Sequence, residues 1–218
     1  MARFAAVAPG APHALDGRSL GRRGTETRRR LLDATADLLA THGIRDLRVV
    51  DVARAVGTSP ATFYQYFRDV EDAVLALSEE VGEGLVPLGE LLVEPWDGDA
   101  GRAAARSLVE RFFAYWDDHR AVLGTRNLAA QEGDRRFRDV RIEAMRPLRE
   151  GLTARVAAAQ AAGRVAVEVS PPAAAAALTA MLERMAAFHA DLGEIGVSDA
   201  DVVTTTAHIV FGVVTGER

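Results

Sequence analysis

The feature that most restricts the fold of this chain is a pair of very short helical patterns separated by a single glycine. Val49, Val52, Ala53 and Val56 stand at i, i+3, i+4 and i+7, which places four apolar side chains on one face of a helix. Gly57 ends that pattern, because glycine accepts the left-handed conformation that closes a helix. Thr58 or Ser59 can cap a new helix at once, and Pro60 suits its first position, where a missing N–H costs nothing. A helix predicted over residues 59–67 thus follows the first after only a tight turn, which makes a helix-turn-helix.

Helical periodicity continues along the chain without strand alternation or short repeats, so the predicted class is all-α. Leu31, Leu32, Thr35, Leu38 and Leu39 share one side of a helix that His42-Gly43 ends. A fourth helix is predicted over residues 69–86, interrupted by Pro87, and residues 94–99 read as a connection. Leu108, Phe112 and Trp116 mark a helix ending near Asp118 and His119, with a short one following through Asn127. Phe137, Val140, Ala144, Leu148 and Leu152 mark one long helix, bent at Pro147 and ending at Gly163. Ser170-Pro171 opens a capped helix bearing Leu178, Met181, Leu182, Met185 and Phe188, and Ser198 to Asp201 resembles a capping box before the last. The predicted organisation is a flexible tail (1–21), a three-helix helix-turn-helix domain (22–70) and a helical-bundle domain (71–218).

Charge divides the chain in the same way. The net charge of −5 argues against a nucleic-acid partner, yet residues 1–70 hold 11 arginines against 7 acids, and residues 71–218 hold 15 against 24. An arginine-rich head on an acidic body fits a DNA-binding unit attached to one that does not touch DNA; a solvated arginine face fits equally. No cysteine is present, which excludes disulfides and thiolate metal sites and suits a reducing cytoplasm. No apolar run is long enough to span a bilayer, so no membrane partner is expected. Neither a phosphate-cradling glycine loop, nor metal-ligand spacing among the five histidines, nor a serine nucleophile elbow occurs. The chain is therefore expected to carry no catalytic residue, metal or cofactor, with an all-α enzyme or binding protein as the rival class. His119, His189 and His208 read as structural histidines, and Glu183 and Arg184 as neighbours that each find a separate partner.

On the 59–67 helix, Pro60, Phe63 and Phe67 are spaced to pack on Val52 and Leu39. Ser59, Thr62 and Tyr66 form the opposite stripe, with Gln65 beside it and Tyr64 on its flank. Hydroxyl and amide groups on one exposed stripe suit phosphate oxygens and base edges in a major groove; an ordinary polar helix surface has the same composition. Arg22, Arg23 and Arg28 to Arg30 are placed to reach phosphates or a minor groove.

Arg28-Arg29-Arg30-Leu31-Leu32-Asp33-Ala34, the run from Val49 to Gly57, and Ser59-Pro60-Ala61-Thr62-Phe63-Tyr64-Gln65-Tyr66-Phe67 together resemble the DNA-binding domain of the TetR family. The resemblance implies that the third helix reads the major groove, and that Thr62, Tyr64, Gln65 and Tyr66 touch bases or phosphates. Arg48 stands where the family usually has serine or threonine, and Val70 where it has lysine, so Arg48 and Arg68 are expected to supply those phosphate contacts. With Thr58, Ser59 and Pro60 at the helix start, these residues form the candidate DNA surface.

The remainder is similar, over a looser set of residues, to the ethionamide-resistance repressors within that family: Phe112-Phe113, His119-Arg120-Ala121-Val122, Met181 with Glu183-Arg184, and His208-Ile209. That similarity implies a tunnel for elongated apolar molecules lined by Phe112, Trp116, Asn127, Met145, Leu148, Leu152, Thr179 and Leu182. Thr179 and Leu182 replace asparagines of that group and Val210 a tryptophan, so a different ligand is expected. With Asn127 and Thr179 as polar anchors and no basic cluster facing the cavity, the expected effector is uncharged or amphipathic, elongated, and lipid-like or aromatic. The apolar faces of residues 170–192 and 198–214 exceed one subunit's needs, which predicts a homodimer on a palindromic double-stranded operator. A repressor released by a hydrophobic small molecule is the expected function, with an activator or a ligand-independent regulator as alternatives.

Overall fold

The computed structural model describes Leu15, residues 19–94 and residues 96–217. Most of the tail expected over residues 1–21, and Pro95 of the expected connection, lie outside the described residues. Every regular element among the described residues is helical. The chain divides into two compact units, Met1–Leu77 and Ser78–Arg218.

In the first unit, α1 (Arg22–His42) buries Leu31, Leu32, Thr35 and Leu39 and packs on α2 (Val49–Val56), which packs on α3 (Pro60–Phe63). Gly57 closes α2 at φ 71°, ψ 35°, and the N–H of Thr58 donates to the Ala53 carbonyl at 2.9 Å. A side chain in that left-handed conformation is strained, so glycine is what permits so short a turn. Helix α3 is one α turn, where the spacing predicted a helix through Phe67. Four of residues 63–67 are aromatic and lose rotamer freedom against a preceding helical turn. Asp69 also starts a new helix, its Oδ1 accepting the Asp72 N–H at 2.7 Å at the head of α4 (Val70–Glu83). Between them the chain tightens into i+3 hydrogen bonds, Gln65 to Thr62 and Tyr66 to Phe63.

The second unit contains α5 (Val86–Glu90), α6 (Gly98–Gln131), α7 (Arg135–Ala144), α8 (Arg146–Ala161), α9 (Pro171–Leu192) and α10 (Asp199–Thr215), with a 3₁₀ turn at Gly193–Ile195. Here both proline expectations are corrected. Pro87 and Pro147 lie in the first turns of α5 and α8 instead of interrupting or bending a longer helix. A proline there forfeits an N–H that has no intrahelical acceptor anyway, so it starts a helix at no cost. The two helices expected on either side of His119 are the two limbs of α6, which breaks at His119, where the backbone is non-helical (φ −124°, ψ 17°). Ser198 caps α10 by accepting the Asp201 N–H, whereas Ser170 makes no side-chain cap to α9. Helix α6 packs on α7, α9 and α10, and α8 packs on α5, α9 and α10, around one apolar core.

Candidate functional site

Phe63 and Phe67 anchor the reading turn from beneath, both buried, with ring centroids 5.4 Å apart. Above them, Tyr64 is 52% exposed and Gln65 is exposed, while Thr58, Thr62 and Tyr66 are half-buried. The Ser59 hydroxyl accepts the Thr62 N–H at 3.2 Å and lies 3.1 Å from Thr62 Oγ1, so it braces the turn that carries Thr62. Pro60, expected to pack with the two phenylalanines, is exposed instead.

Arg48 and Arg68 flank this turn in sequence, and each is oriented by a carboxylate one turn ahead. Arg48 Nε donates to Asp51 Oδ2 at 2.9 Å, and Arg68 Nη2 to Asp72 Oδ1 at 2.7 Å. The hydrogen bond from Arg48 holds the Asp51 carboxyl below the usual carboxylate range. Exposed pairs of this kind are weak, so a phosphate can take over the guanidinium. Of the arginines expected to reach phosphates, Arg28, Arg29 and Arg30 have partners within the unit. Arg30 Nη2 donates to the Val56 carbonyl at 2.7 Å, tying α1 to the end of α2, and Arg28 lies over the Phe67 ring at 5.2 Å. Arg29 pairs with Asp33, and Arg22 and Arg23 are exposed.

In the second unit, Phe112, Trp116, Met145, Leu148, Leu152 and Leu182 belong to one buried apolar cluster. Asn127 and Thr179, the two polar residues paired with them by the sequence, behave differently. The Thr179 hydroxyl donates back to the Ala175 and Ala176 carbonyls of its own helix. Asn127 joins a network: its Nδ2 donates to Glu183 Oε1 at 3.4 Å, and its Oδ1 accepts Arg126 Nε at 3.1 Å. Arg126 is only 1% exposed and Glu183 6%. Arg126 Nη2 reaches Glu183 Oε1 at 3.4 Å, Arg141 Nε reaches the same oxygen at 3.1 Å, and Arg141 Nη2 pairs closely with Oε2. Two arginines sharing one carboxylate therefore lie beside Asn127, one of the residues expected to line the apolar site. Burial lowers the Arg126 pKa, opposed by Glu183, and burial also pushes the Tyr115 phenol up to about 12, so it stays a neutral donor to the Val81 carbonyl. A signal for this network was present: Arg126 follows Trp116 and Leu123 on one helical face, and Glu183 follows Thr179 by four, so opposite charges lie on two buried faces.

His189 makes a second polar knot. Its Nδ1 lies 3.0 Å from Asp199 Oδ1 and its Nε2 3.0 Å from Asp117 Oδ1, and its ring stacks on Phe113. Burial alone lowers the imidazole pKa, but the hydrogen bonds to Asp199 and Asp117 outweigh it and the net shift is upward. No group of histidine, cysteine and acidic residues able to hold a metal occurs among the described residues.

The fold defines a class: a helix-turn-helix unit followed by a separate helical unit with an apolar core and an internal polar cluster. Residues 31–77 match the model of bacterial regulatory proteins of the tetR family, and residues 88–218 match the tetracyclin repressor-like C-terminal domain. The chain belongs to the TetR family of transcriptional regulators. Solved structures share the fold. The fatty acid degradation regulator FadR from Bacillus halodurans superposes with a TM-score of 0.65 at 17% identity, over 89% of this chain and 97% of that one. FadR from Bacillus subtilis, in complex with stearoyl-CoA, gives 0.63 at 16% identity over 87% and 99%. Salmonella enterica GusR gives 0.62 at 20% identity over 87% and 95%. No curated protein gives a significant sequence match.

Proposed function

We propose that this protein is a cytoplasmic transcriptional repressor that binds a palindromic double-stranded operator as a homodimer and is released by a largely hydrophobic small molecule. The observation that carries this reading is the reading turn itself: exposed Tyr64 and Gln65, with Thr62 beside them, held on the buried Phe63 and Phe67 pair. Thr62, Gln65 and Tyr66 meet base edges; Arg48, Thr58, Ser59, Pro60, Tyr64 and Arg68 meet the backbone. The dimer is supported by exposed Phe188 on α9 and exposed Ile209 and Val213, one turn apart on α10. Twofold pairing sets the two reading turns about 34–36 Å apart, or a multiple of it. No described helix is long and apolar enough to cross a membrane.

Phe112, Trp116, Asn127, Met145, Leu148, Leu152, Thr179 and Leu182 form the effector site in this reading, and the stearoyl-CoA bound by the similar FadR supports an acyl-chain ligand. The effector favours a dimer whose reading turns are wrongly spaced, and operator DNA weakens effector binding by the same factor. The test is a footprint on the chain's own promoter region, with and without a panel of acyl compounds. A protected palindrome lost on adding one compound is the expected result; no protection at low salt overturns the repressor reading.

A further inference from the structure

Burying a guanidinium is among the costlier steps a fold takes unless the charge is matched and every N–H has an acceptor. Arg126 meets these conditions only in part: its Nε donates to Asn127 Oδ1 and its Nη2 reaches Glu183. Glu183 is shared with Arg141, which takes the closer contacts on both carboxylate oxygens, so Arg126 keeps one contact of 3.4 Å. Two guanidinium groups thus share one buried carboxylate, Arg126 enclosed and the Arg141 side chain 37% exposed. Arg126 Nη1 is buried and makes no hydrogen bond to any described residue. The Tyr115 phenol, held neutral by burial, lies within side-chain hydrogen-bonding reach of Arg126 and adds no charge to the cluster.

We propose that the effector carries a single carboxylate, which the open edge of Arg126 holds while the hydrocarbon lies among Phe112, Trp116, Leu148 and Leu182. The proposal rests on the reading of this unit as an effector domain and adds the headgroup. One carboxylate supplies acceptors matched to the planar fork of a guanidinium, and a second negative charge for the two arginines that share Glu183. A dianionic phosphate overshoots, leaving an unmatched negative charge in the same interior. Arg141, whose side chain is 37% exposed, and half-buried Asn127 mark the side from which the cluster is reached.

The test is calorimetric titration of the intact protein with decanoate and with decanamide, which share a chain and differ in headgroup charge. Wild-type protein is expected to bind decanoate about tenfold or more tightly than decanamide, a difference of roughly 1.4 kcal/mol or more. Arg126→Gln is expected to lose that preference and bind the two compounds about equally. Arg126→Lys keeps the charge without the fork and retains part of the preference. Equal binding of the two compounds by wild-type protein overturns the headgroup inference and leaves the effector reading standing. If neither binds, and no neutral acyl compound raises the melting temperature, the effector reading fails and the inference with it. The wild-type comparison decides the matter even if a variant does not fold.

Discussion

Tyr64 in the first unit stands half in solvent at the end of a one-turn helix, whereas Arg126 in the second is enclosed, with one guanidinium nitrogen lacking a hydrogen-bond partner. For Tyr64 that means a side chain free to meet DNA, with its structural cost met by Phe63 and Phe67 underneath. For Arg126 it means a charge whose partner is oversubscribed inside the core. A surface site can be altered with little effect on folding; a buried polar site couples recognition to stability, because every unmatched group is desolvated whether or not a ligand is present. This difference orders the experiments.

The largest effect is expected where burial is complete. Phe63→Ala should cost about 3–5 kcal/mol of stability, while Tyr64→Phe should leave the denaturant midpoint nearly unchanged and weaken binding to all DNA sequences alike. If Tyr64→Phe unfolds the protein, the division between support and reading surface is wrong. Glu183→Ala should cost a comparable 3–5 kcal/mol, since it leaves two guanidinium groups without their carboxylate. The triple change of Arg126, Arg141 and Glu183 to Met, Met and Leu should recover most of that loss in urea unfolding. Recovery distinguishes unmatched charge from lost packing.

Smaller effects sharpen the comparison further. Changes at Thr62 or Gln65 should cost roughly 1–3 kcal/mol at particular base pairs, read by competition with single-pair operator variants. Arg48→Ala should weaken binding to all sequences and lower the slope of log affinity against log salt by about 1. The His189 knot predicts a pH response in the second unit. Its imidazole pKa is raised by folding, so its contribution is fully present below about pH 6.5 and is lost as pH rises through the folded value. Burial raises the Asp117 pKa, but hydrogen bonds from His189 and Arg120 outweigh this and lower it. Its contribution is therefore present above about pH 4 and lost as pH falls through the folded value. Melting temperature should accordingly be greatest between about pH 4 and 6.5, and His189→Gln should flatten the alkaline side. An unchanged alkaline limb in that variant removes His189 as its cause.

Local pattern alone determined the helical class, the turn at Gly57 and the burial of Phe63 and Phe67. Each rests on residues within one or two helical turns of one another, where the i, i+3, i+4 geometry and the left-handed freedom of glycine act without help from the rest of the chain. Periodicity also placed Phe112, Trp116, Leu148, Leu152 and Leu182 among residues that share one buried core. Tertiary structure decided whatever depended on competition between distant groups. Whether Pro147 bends a helix or starts one depends on which neighbours α7 and α8 must cover, and whether Arg30 meets DNA or Val56 depends on where α2 ends. The sharing of Glu183 between Arg126 and Arg141, 57 and 42 residues away in sequence, exists only once three helices meet. Charge matching in an interior is a property of assembled neighbours, and a linear sequence shows the charges without showing which of them is left over.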